Sequence, residues 1–254
     1  MKNFIPKSSV ANFVTSLNIF CGFLSIVFAS NGDFRMAAIF IVAAATFDLL
    51  DGIVARLLGT SSRFGVELDS LSDVVSFGAA PSFLIYKAYA YQFGYPGILL
   101  SSLILVFGAL RLARFNIQVE DLNSKGDFKG LPIPMAAMTI AMLFLSTSSN
   151  QKLVPPFDII IFPLIILLSL LMVSKIRYNA FPNLKDRKLN QKLFALVILL
   201  IVLVYAILTK GLVLFYISIG IVFFGLLRHI YFLITNDDKN KIGKNIKIKE
   251  SEIV

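Results

Sequence analysis

Long apolar blocks, each about the length of a membrane-crossing helix, constrain the fold of this chain more than any other feature. Crossing roughly 30 Å of hydrocarbon takes about 20 helical residues, and apolar blocks of about 17 to 25 residues recur along the sequence. Apolar residues make up 57% of the 254 residues and charged residues 15%, against about 45–50% and about 25% in a soluble domain. The sequence therefore predicts an all-α integral membrane protein.

Eight transmembrane helices are predicted, with both termini in the cytoplasm. The spans are about 13–30, 35–56, 66–90, 97–116, 131–148, 157–174, 193–209 and 212–234. This topology puts 20 of the 24 lysine and arginine residues on the cytoplasmic side, as the positive-inside rule favours. We expect one multi-pass domain in the cell (inner) membrane, residues 1–235, followed by a polar, lysine-rich cytoplasmic tail, residues 236–254.

Charge and cysteine content argue against two other classes of function. The net charge is +9, but the basic residues are spread between apolar blocks and are not gathered in one patch, so no nucleic-acid partner is expected. Cys21 is the single cysteine, which rules out both a disulfide framework and a thiolate metal site. His229, the single histidine, is interpreted as a membrane-boundary residue.

Four aspartates interrupt the hydropathy pattern between the second and third predicted spans. A carboxylate near hydrocarbon costs about 3 kcal/mol or more unless it faces protein, water or a cation, so such residues are functional candidates. Asp48 and Asp51 are three residues apart and share one face of a helix. Asp69 and Asp73 are four residues apart and share a face of the next helix. Two antiparallel helices would bring all four carboxylates together at the inner membrane surface.

This cluster predicts a site for two divalent metal ions. Oxygen ligands with no histidine or cysteine nearby suit Mg²⁺ or Mn²⁺. Two such ions would balance four negative charges, and a pair of metal ions is a known arrangement for displacement at phosphorus. A divalent-cation transporter is the alternative from a different class. Its carboxylates are expected near mid-membrane with a path to both sides, whereas these lie at one face.

Small and basic residues beside the aspartates point to a phosphate-bearing ligand. Gly52 follows Asp51 directly, and Gly65 precedes Asp69 by one turn, so each lets a bulky group approach the backbone. Arg56 is suited to fork onto a phosphate or onto the aspartates. Helix packing for the glycines and a positive-inside anchor for Arg56 are the structural alternatives.

The segment from Asp48 to Asp73 reads D-x2-D-G-x2-A-R-x8-G-x3-D-x3-D. It resembles the signature of the CDP-alcohol phosphatidyltransferases at every fixed position. The resemblance implies that Asp48, Asp51 and Asp69 bind metal and that Asp73 both binds metal and acts as the general base. It further implies that the CDP-lipid is held by Gly52, Arg56, Ser62, Gly65, Asn12, Thr15 and Asn18. It also implies a homodimer.

Three further segments bear on the acceptor alcohol. Residues 68–83, 108–116 and 130–137 are similar to those of bacterial and archaeal phosphatidylserine synthases. This implies attack of the L-serine hydroxyl on CDP-diacylglycerol, giving phosphatidylserine and CMP. Arg111 and Arg114 share one helical face and suit the serine carboxylate or the lipid phosphate, with interface snorkelling as the other reading. The same chemistry with glycerol 3-phosphate, inositol phosphate or choline stays open.

Overall fold

The protein is described by a computed structural model that covers residues 7–59, 62–120, 130–149, 152–153, 157–174, 176 and 214–228. Its helices are α1 (Lys7–Ser30), α2 (Phe34–Leu58), α3 (Arg63–Asp73), α4 (Ala80–Ala88), α5 (Tyr95–Glu120), α6 (Ile133–Thr147), α7 (Phe157–Val173) and α8 (Leu214–Arg228). A π-helical segment (Val74–Ala79) joins α3 to α4, and a 3-10 turn (Ala90–Phe93) follows α4. Ser148–Ser149 pairs antiparallel with Lys152–Leu153. Apart from this short pairing, the regular structure of the described residues is helical, which confirms the predicted all-α class.

Within the described part of the chain, three helices are long and apolar enough to cross a membrane. They contain the stretches Ser9–Ser30, Phe34–Ala55 and Tyr95–Ile117, which match the first, second and fourth predicted spans. The shorter apolar helices α6, α7 and α8 fall at the fifth, sixth and eighth. Three other predictions lie outside the described residues: the span 193–209, the tail 236–254 and the placement of His229.

Helices α1 and α2 form a hairpin that brings the amino-terminal segment beside the aspartates. The two helices pack closely along their length, and they carry fully buried small side chains, among them Ala29, Ala37 and Ala44, of the kind that lets helix backbones approach in a membrane. Gly32 takes a φ of 83° in the turn between the helices, a conformation that costs glycine little. The Asp33 carboxylate then accepts a hydrogen bond from the Met36 N–H at 3.0 Å and caps α2.

The third predicted span is a helical run from Arg63 to Ala88 that is interrupted by the π segment. The Ala80 N–H donates to the Val75 carbonyl, the five-residue spacing that defines a π turn. Pro81 follows at once; it has no N–H, and its ring crowds the preceding turn, which favours the wider turn here. The extra residue changes the rotation of the side chains after Asp73, which periodicity in the sequence did not predict.

The end of the bundle that holds the four aspartates is called the carboxylate end, and the end that holds the residue 31–33 turn is called the turn end. At the carboxylate end, the backbone joins the start of α6 to the end of α7. The Gly130 N–H donates to the Ile176 carbonyl at 2.8 Å, and the Leu131 N–H donates to the Leu171 carbonyl at 3.0 Å. Helix α5 packs against α7, α4 and the π segment, so its last turns also lie at the carboxylate end.

Candidate active site

Three of the predicted aspartates converge at the carboxylate end. One carboxylate oxygen from each of Asp48, Asp51 and Asp69 lies within 4.8 Å of the other two. Helix α2 supplies the first two from successive turns, and α3 supplies the third after the chain reverses. Gly59 ends α2 with a φ of 63°, which a residue with a side chain adopts at a cost. The structure thus brings the two aspartate-bearing helices together as the spacing predicted.

Asp73, the fourth aspartate, lies deeper at the same site and is 8% exposed. Its carboxyl group makes hydrogen-bonding contact with that of Asp48. Asp69 and Arg111 are close enough to act on it electrostatically. Two carboxyl groups in contact cannot both be ionised at low cost, so a proton or a cation must lie between them.

Several buried polar atoms at this end lack hydrogen-bond partners among the described residues. They are Asp51 Oδ2, Asp73 Oδ1, Arg111 Nε and both side-chain amide atoms of Asn18. Leaving a buried polar atom unpaired costs about 1–3 kcal/mol. The cluster therefore fits a ligand that carries charge and hydrogen-bonding groups.

The carboxylate geometry fits a hard divalent cation. Two oxygen ligands of one such ion, each about 2.0 to 2.5 Å from it, lie no more than about 5 Å apart. The oxygens of Asp48, Asp51 and Asp69, within 4.8 Å of one another, meet this condition. The ligand set holds oxygen only, which matches the preference of Mg²⁺ and Mn²⁺.

Helix α1 contributes polar side chains from its first half. The Thr15 hydroxyl lies within hydrogen-bonding reach of the Asp51 carboxylate and of the Ala11 carbonyl, at 3.1 Å. One turn further along, Asn18 is fully buried. Two of the three predicted α1 residues are therefore buried beside or near the aspartates.

The predicted nucleotide-binding residues around the start of α3 also meet. A Cβ atom at Gly65 would lie 3.1 Å from Ser62 Oγ and 3.5 Å from Asn12 Oδ1, so this glycine leaves space between two polar side chains. Ser62 caps α3, because its hydroxyl accepts a hydrogen bond from the Gly65 N–H at 3.0 Å. Gly52 follows Asp51 on α2, and Arg56 lies in the last turn of that helix.

The two predicted arginines occupy different places. Arg111 is close to Asp73, and its Nε atom is buried without a hydrogen-bond partner among the described residues. Arg114 donates from a guanidinium nitrogen to the Val173 carbonyl at 3.0 Å. Val173 ends α7, so Arg114 caps that helix. Arg111 is the arginine that faces the carboxylates, a distinction that spacing alone did not make.

Sequence reasoning missed the serines that hold α3 and the π segment in place. The Ser70 hydroxyl and the Asn116 amide are hydrogen-bonded, with Nδ2 to Oγ at 3.0 Å, and this links α3 to α5. Ser72 and Ser76 donate to backbone carbonyls of α1. Serines at four-residue spacing in an apolar helix are only a weak signal of helix contact, so the sequence did not single them out.

Comparison with known proteins gives one consistent family. The model of the CDP-alcohol phosphatidyltransferase family matches residues 8–164, a range that includes all four aspartates. A CDP-diacylglycerol–serine O-phosphatidyltransferase of Helicobacter pylori is 43% identical over 200 residues, covering 79% of this chain and 83% of the relative. An archaetidylserine synthase of Methanothermobacter thermautotrophicus is 42% identical over 173 residues, covering 67% and 69%. A CDP-diacylglycerol–serine O-phosphatidyltransferase of Bacillus subtilis is 35% identical over 179 residues, covering 70% and 92%.

Proposed function

The chain belongs to the CDP-alcohol phosphatidyltransferase family, and from that premise we propose that it transfers a phosphatidyl group from CDP-diacylglycerol to L-serine. The products are phosphatidylserine and CMP. The observation that carries this proposal is the convergence of Asp48, Asp51 and Asp69, with Asp73 and Arg111 beside them. Serine is favoured as the acceptor because the relatives at 35–43% identity bear names that specify serine or a serine lipid.

Two divalent ions, Mg²⁺ or Mn²⁺, are the proposed cofactors, in keeping with the metal dependence of this family. Asp48, Asp51 and Asp69 would hold one ion, and Asp73, in contact with Asp48, would share in holding the second. Bound metal supplies positive charge against the pyrophosphate and against the negative charge that develops on the departing CMP. The unpaired oxygen Asp51 Oδ2 supports this assignment.

Asp73 is the proposed general base. Its Oδ1 atom is buried and accepts no hydrogen bond from the described residues, so it has a free acceptor site for the proton of the serine hydroxyl. As the serine oxygen bonds to the diacylglycerol-linked phosphorus, the bond from that phosphorus to the CMP oxygen breaks. The hydroxyl proton passes to Asp73, which the attack requires because serine is otherwise a weak nucleophile.

Arg111 and Arg114 are proposed to hold the serine carboxylate or the lipid phosphate. The guanidinium group matches either anion with paired N–H donors. Arg111 is the stronger candidate, because its Nε donor is unused among the described residues and it lies close to Asp73. Serine held there would lie beside the proposed base, because Arg111 is close to Asp73. Arg114 adds positive charge one turn further along α5 while it caps α7.

The CDP portion is proposed to lie among α1, the end of α2 and the start of α3. Gly65 supports this placement, since the space at its Cβ position opens between Ser62 and Asn12. The unpaired amide of Asn18 offers both a donor and an acceptor, as recognition of a base or ribose requires. The remaining proposed contacts are Thr15, Gly52 and Arg56.

We further propose eight spans across the inner membrane, with the carboxylate end facing the cytoplasm. The carboxylate end carries Arg63, Arg111 and Arg114, and the turn end carries Arg35 and Lys87. This excess of basic residues at the carboxylate end agrees with a cytoplasmic location under the positive-inside rule. Serine and CMP would exchange with the cytoplasm, and CDP-diacylglycerol would enter from the inner leaflet. We also propose that residues 1–235 form the catalytic domain, that residues 236–254 form a tail and that the protein is a homodimer.

Cysteine labelling of intact cells tests this orientation. In a Cys21→Ser background, Lys152→Cys should react with a membrane-impermeant maleimide added outside, and Arg63→Cys should react only after the cells are opened. The opposite labelling pattern would reverse the topology and move the carboxylate end to the external face.

An acceptor comparison tests the reaction itself. Purified protein with CDP-diacylglycerol and Mn²⁺ should release CMP at least about tenfold faster with L-serine than with glycerol 3-phosphate, inositol phosphate or choline, because a site that binds a substrate's polar groups rejects analogues lacking them. Faster release with one of the others would keep the transferase and overturn the serine assignment. Metal flux into proteoliposomes without CMP release would instead support the transporter alternative.

A further inference from the structure

We infer that the buried hydroxyls of Ser72 and Ser76 are positioning groups, which fix the aspartates of α3 at the correct distance from those of α2. The inference rests on the proposed metal-dependent function. Neither hydroxyl is assigned a contact with substrate or metal. Both act through the interface between α1 and the run formed by α3 and the π segment.

Two hydrogen bonds define this interface. Ser72 Oγ donates to the Thr15 carbonyl at 3.0 Å, and Ser76 Oγ donates to the Asn18 carbonyl at 2.9 Å. Both serines are fully buried, at 0% exposure. The acceptors are one turn apart on α1 and the donors one turn apart on the other run, so the two bonds fix both the spacing and the register of the helices.

A glycine allows the helices to come this close. A Cβ atom at Gly22 would clash with the Ser76 hydroxyl and would lie 2.8 Å from Ser76 Cα. Any side chain there must therefore push the π segment away from α1. In a membrane, such close backbone contact is a main source of helix association.

The interface is coupled to the carboxylates on both of its sides. Ser72 directly precedes Asp73 in the chain, and Asp69 lies one turn earlier on α3. On the other side, the Thr15 hydroxyl reaches the Asp51 carboxylate. A shift of α3 along α1 would therefore change the distance between the two pairs of aspartates. Fixing that distance preorganises the metal ligands, since groups behind a metal site commonly set its affinity.

Ser82 provides a matched control within the same helical run. Its side chain is 7% exposed, and its hydroxyl accepts a hydrogen bond from the Leu105 N–H at 3.1 Å. This bond joins α4 to α5, beyond the π segment and away from the carboxylates. Ser82→Ala thus removes an interhelical hydrogen bond of similar kind without touching the interface with α1.

Mn²⁺ binding to the purified full-length protein in detergent tests the inference, with free Mn²⁺ followed by electron paramagnetic resonance. Ser72→Ala and Ser76→Ala should each weaken Mn²⁺ binding about threefold to tenfold, the effect of losing one buried hydrogen bond. Raising the Mn²⁺ concentration should restore much of their turnover. Ser82→Ala should bind Mn²⁺ within about twofold of wild type. Its melting temperature should nevertheless fall about as much as those of Ser72→Ala and Ser76→Ala, because it also loses one buried hydrogen bond.

Asp69→Asn separates failure of this inference from failure of the proposed function. If Asp69→Asn binds Mn²⁺ like wild type, the metal site itself is misassigned. If Asp69→Asn loses Mn²⁺ but the Ser72 and Ser76 variants match Ser82→Ala, the positioning role is overturned. Should Ser72→Ala fail to fold, Ser72→Cys keeps the shape of the side chain with a slightly larger atom, replaces the strong hydroxyl donor by a weak thiol donor and is judged by the same criterion.

Discussion

The two ends of this helical bundle use their polar side chains in different ways. At the turn end, Asp33 accepts from the Met36 N–H at 3.0 Å, and Ser30 Oγ donates to the Val27 carbonyl at 2.7 Å. At the carboxylate end, Asp51, Asp73 and Arg111 each keep a buried polar atom with no partner among the described residues. Polar side chains at the turn end complete the helices, whereas those at the carboxylate end keep atoms that a ligand could pair.

A cavity at the turn end contrasts with the carboxylate cluster. It has a volume of about 460 Å³ and lies between the end of α1 and the end of α4, with Tyr86, Lys87 and Tyr91 in its wall. Both helices point their carbonyl ends toward it, and Lys87 in the last turn of α4 balances them. None of its lining residues has an unpaired buried polar atom within the described part of the chain.

Removing the metal should have the largest effect on CMP release, and this effect should arise at the carboxylate end alone. Excess EDTA should abolish CMP release, and Mn²⁺ should restore it, because the carboxylate cluster otherwise lacks balancing charge. Asp48→Asn or Asp69→Asn should lower turnover at least about a hundredfold, since a metal ion supplies several kcal/mol of charge stabilisation.

Asp33→Asn is the matched control for those two variants. It makes the same change of side chain at the turn end, and asparagine caps a helix about as well as aspartate. Its CMP release should equal that of wild type at equal expression. Loss of activity in this control, or full turnover of Asp69→Asn, would contradict the division between the ends.

The next largest effect is expected at Asp73. Asp73→Asn should retain CDP-diacylglycerol binding while turnover falls about 10²- to 10⁴-fold, the usual contribution of a general base. Equilibrium binding and single-turnover kinetics measured side by side provide the check. If binding and turnover fall together, Asp73 serves mainly as a metal ligand.

A smaller effect should distinguish the two arginines. Arg111→Ala should raise the KM for serine about tenfold or more, because a carboxylate loses its charged hydrogen bonds, and should change the KM for CDP-diacylglycerol less. Arg114→Ala should chiefly lower the melting temperature, since the end of α7 loses its cap. Steady-state kinetics with each substrate varied, together with thermal unfolding, would show whether the roles are reversed.

The smallest effect is expected at the turn-end cavity. Lys87→Ala should change CMP release by no more than about twofold, as is usual for a substitution away from a core or a site. A large rise in the KM for either substrate would show that this cavity takes part in the reaction and that the contrast between the ends is incomplete.

The sequence by itself determined the class of fold, the family and the grouping of the aspartates. Hydropathy sets which segments enter the membrane, because each residue's transfer free energy acts locally. The spacing of Asp48 and Asp51, and of Asp69 and Asp73, sets which side chains share a helical face. With a short reversal between the two helices, these facts were enough to predict the cluster that the structure shows.

Only the tertiary structure decided how the helices are rotated and how closely they approach. The π segment changes the phase of the helix after Asp73, so the contacts of Ser76 do not follow from a regular period. The contact of Asp73 with Asp48, and the separate partners of Arg111 and Arg114, depend on neighbours distant in sequence. Apolar faces all suit lipid equally well, so hydropathy does not choose among rotations; small residues and buried hydrogen bonds between helices make that choice.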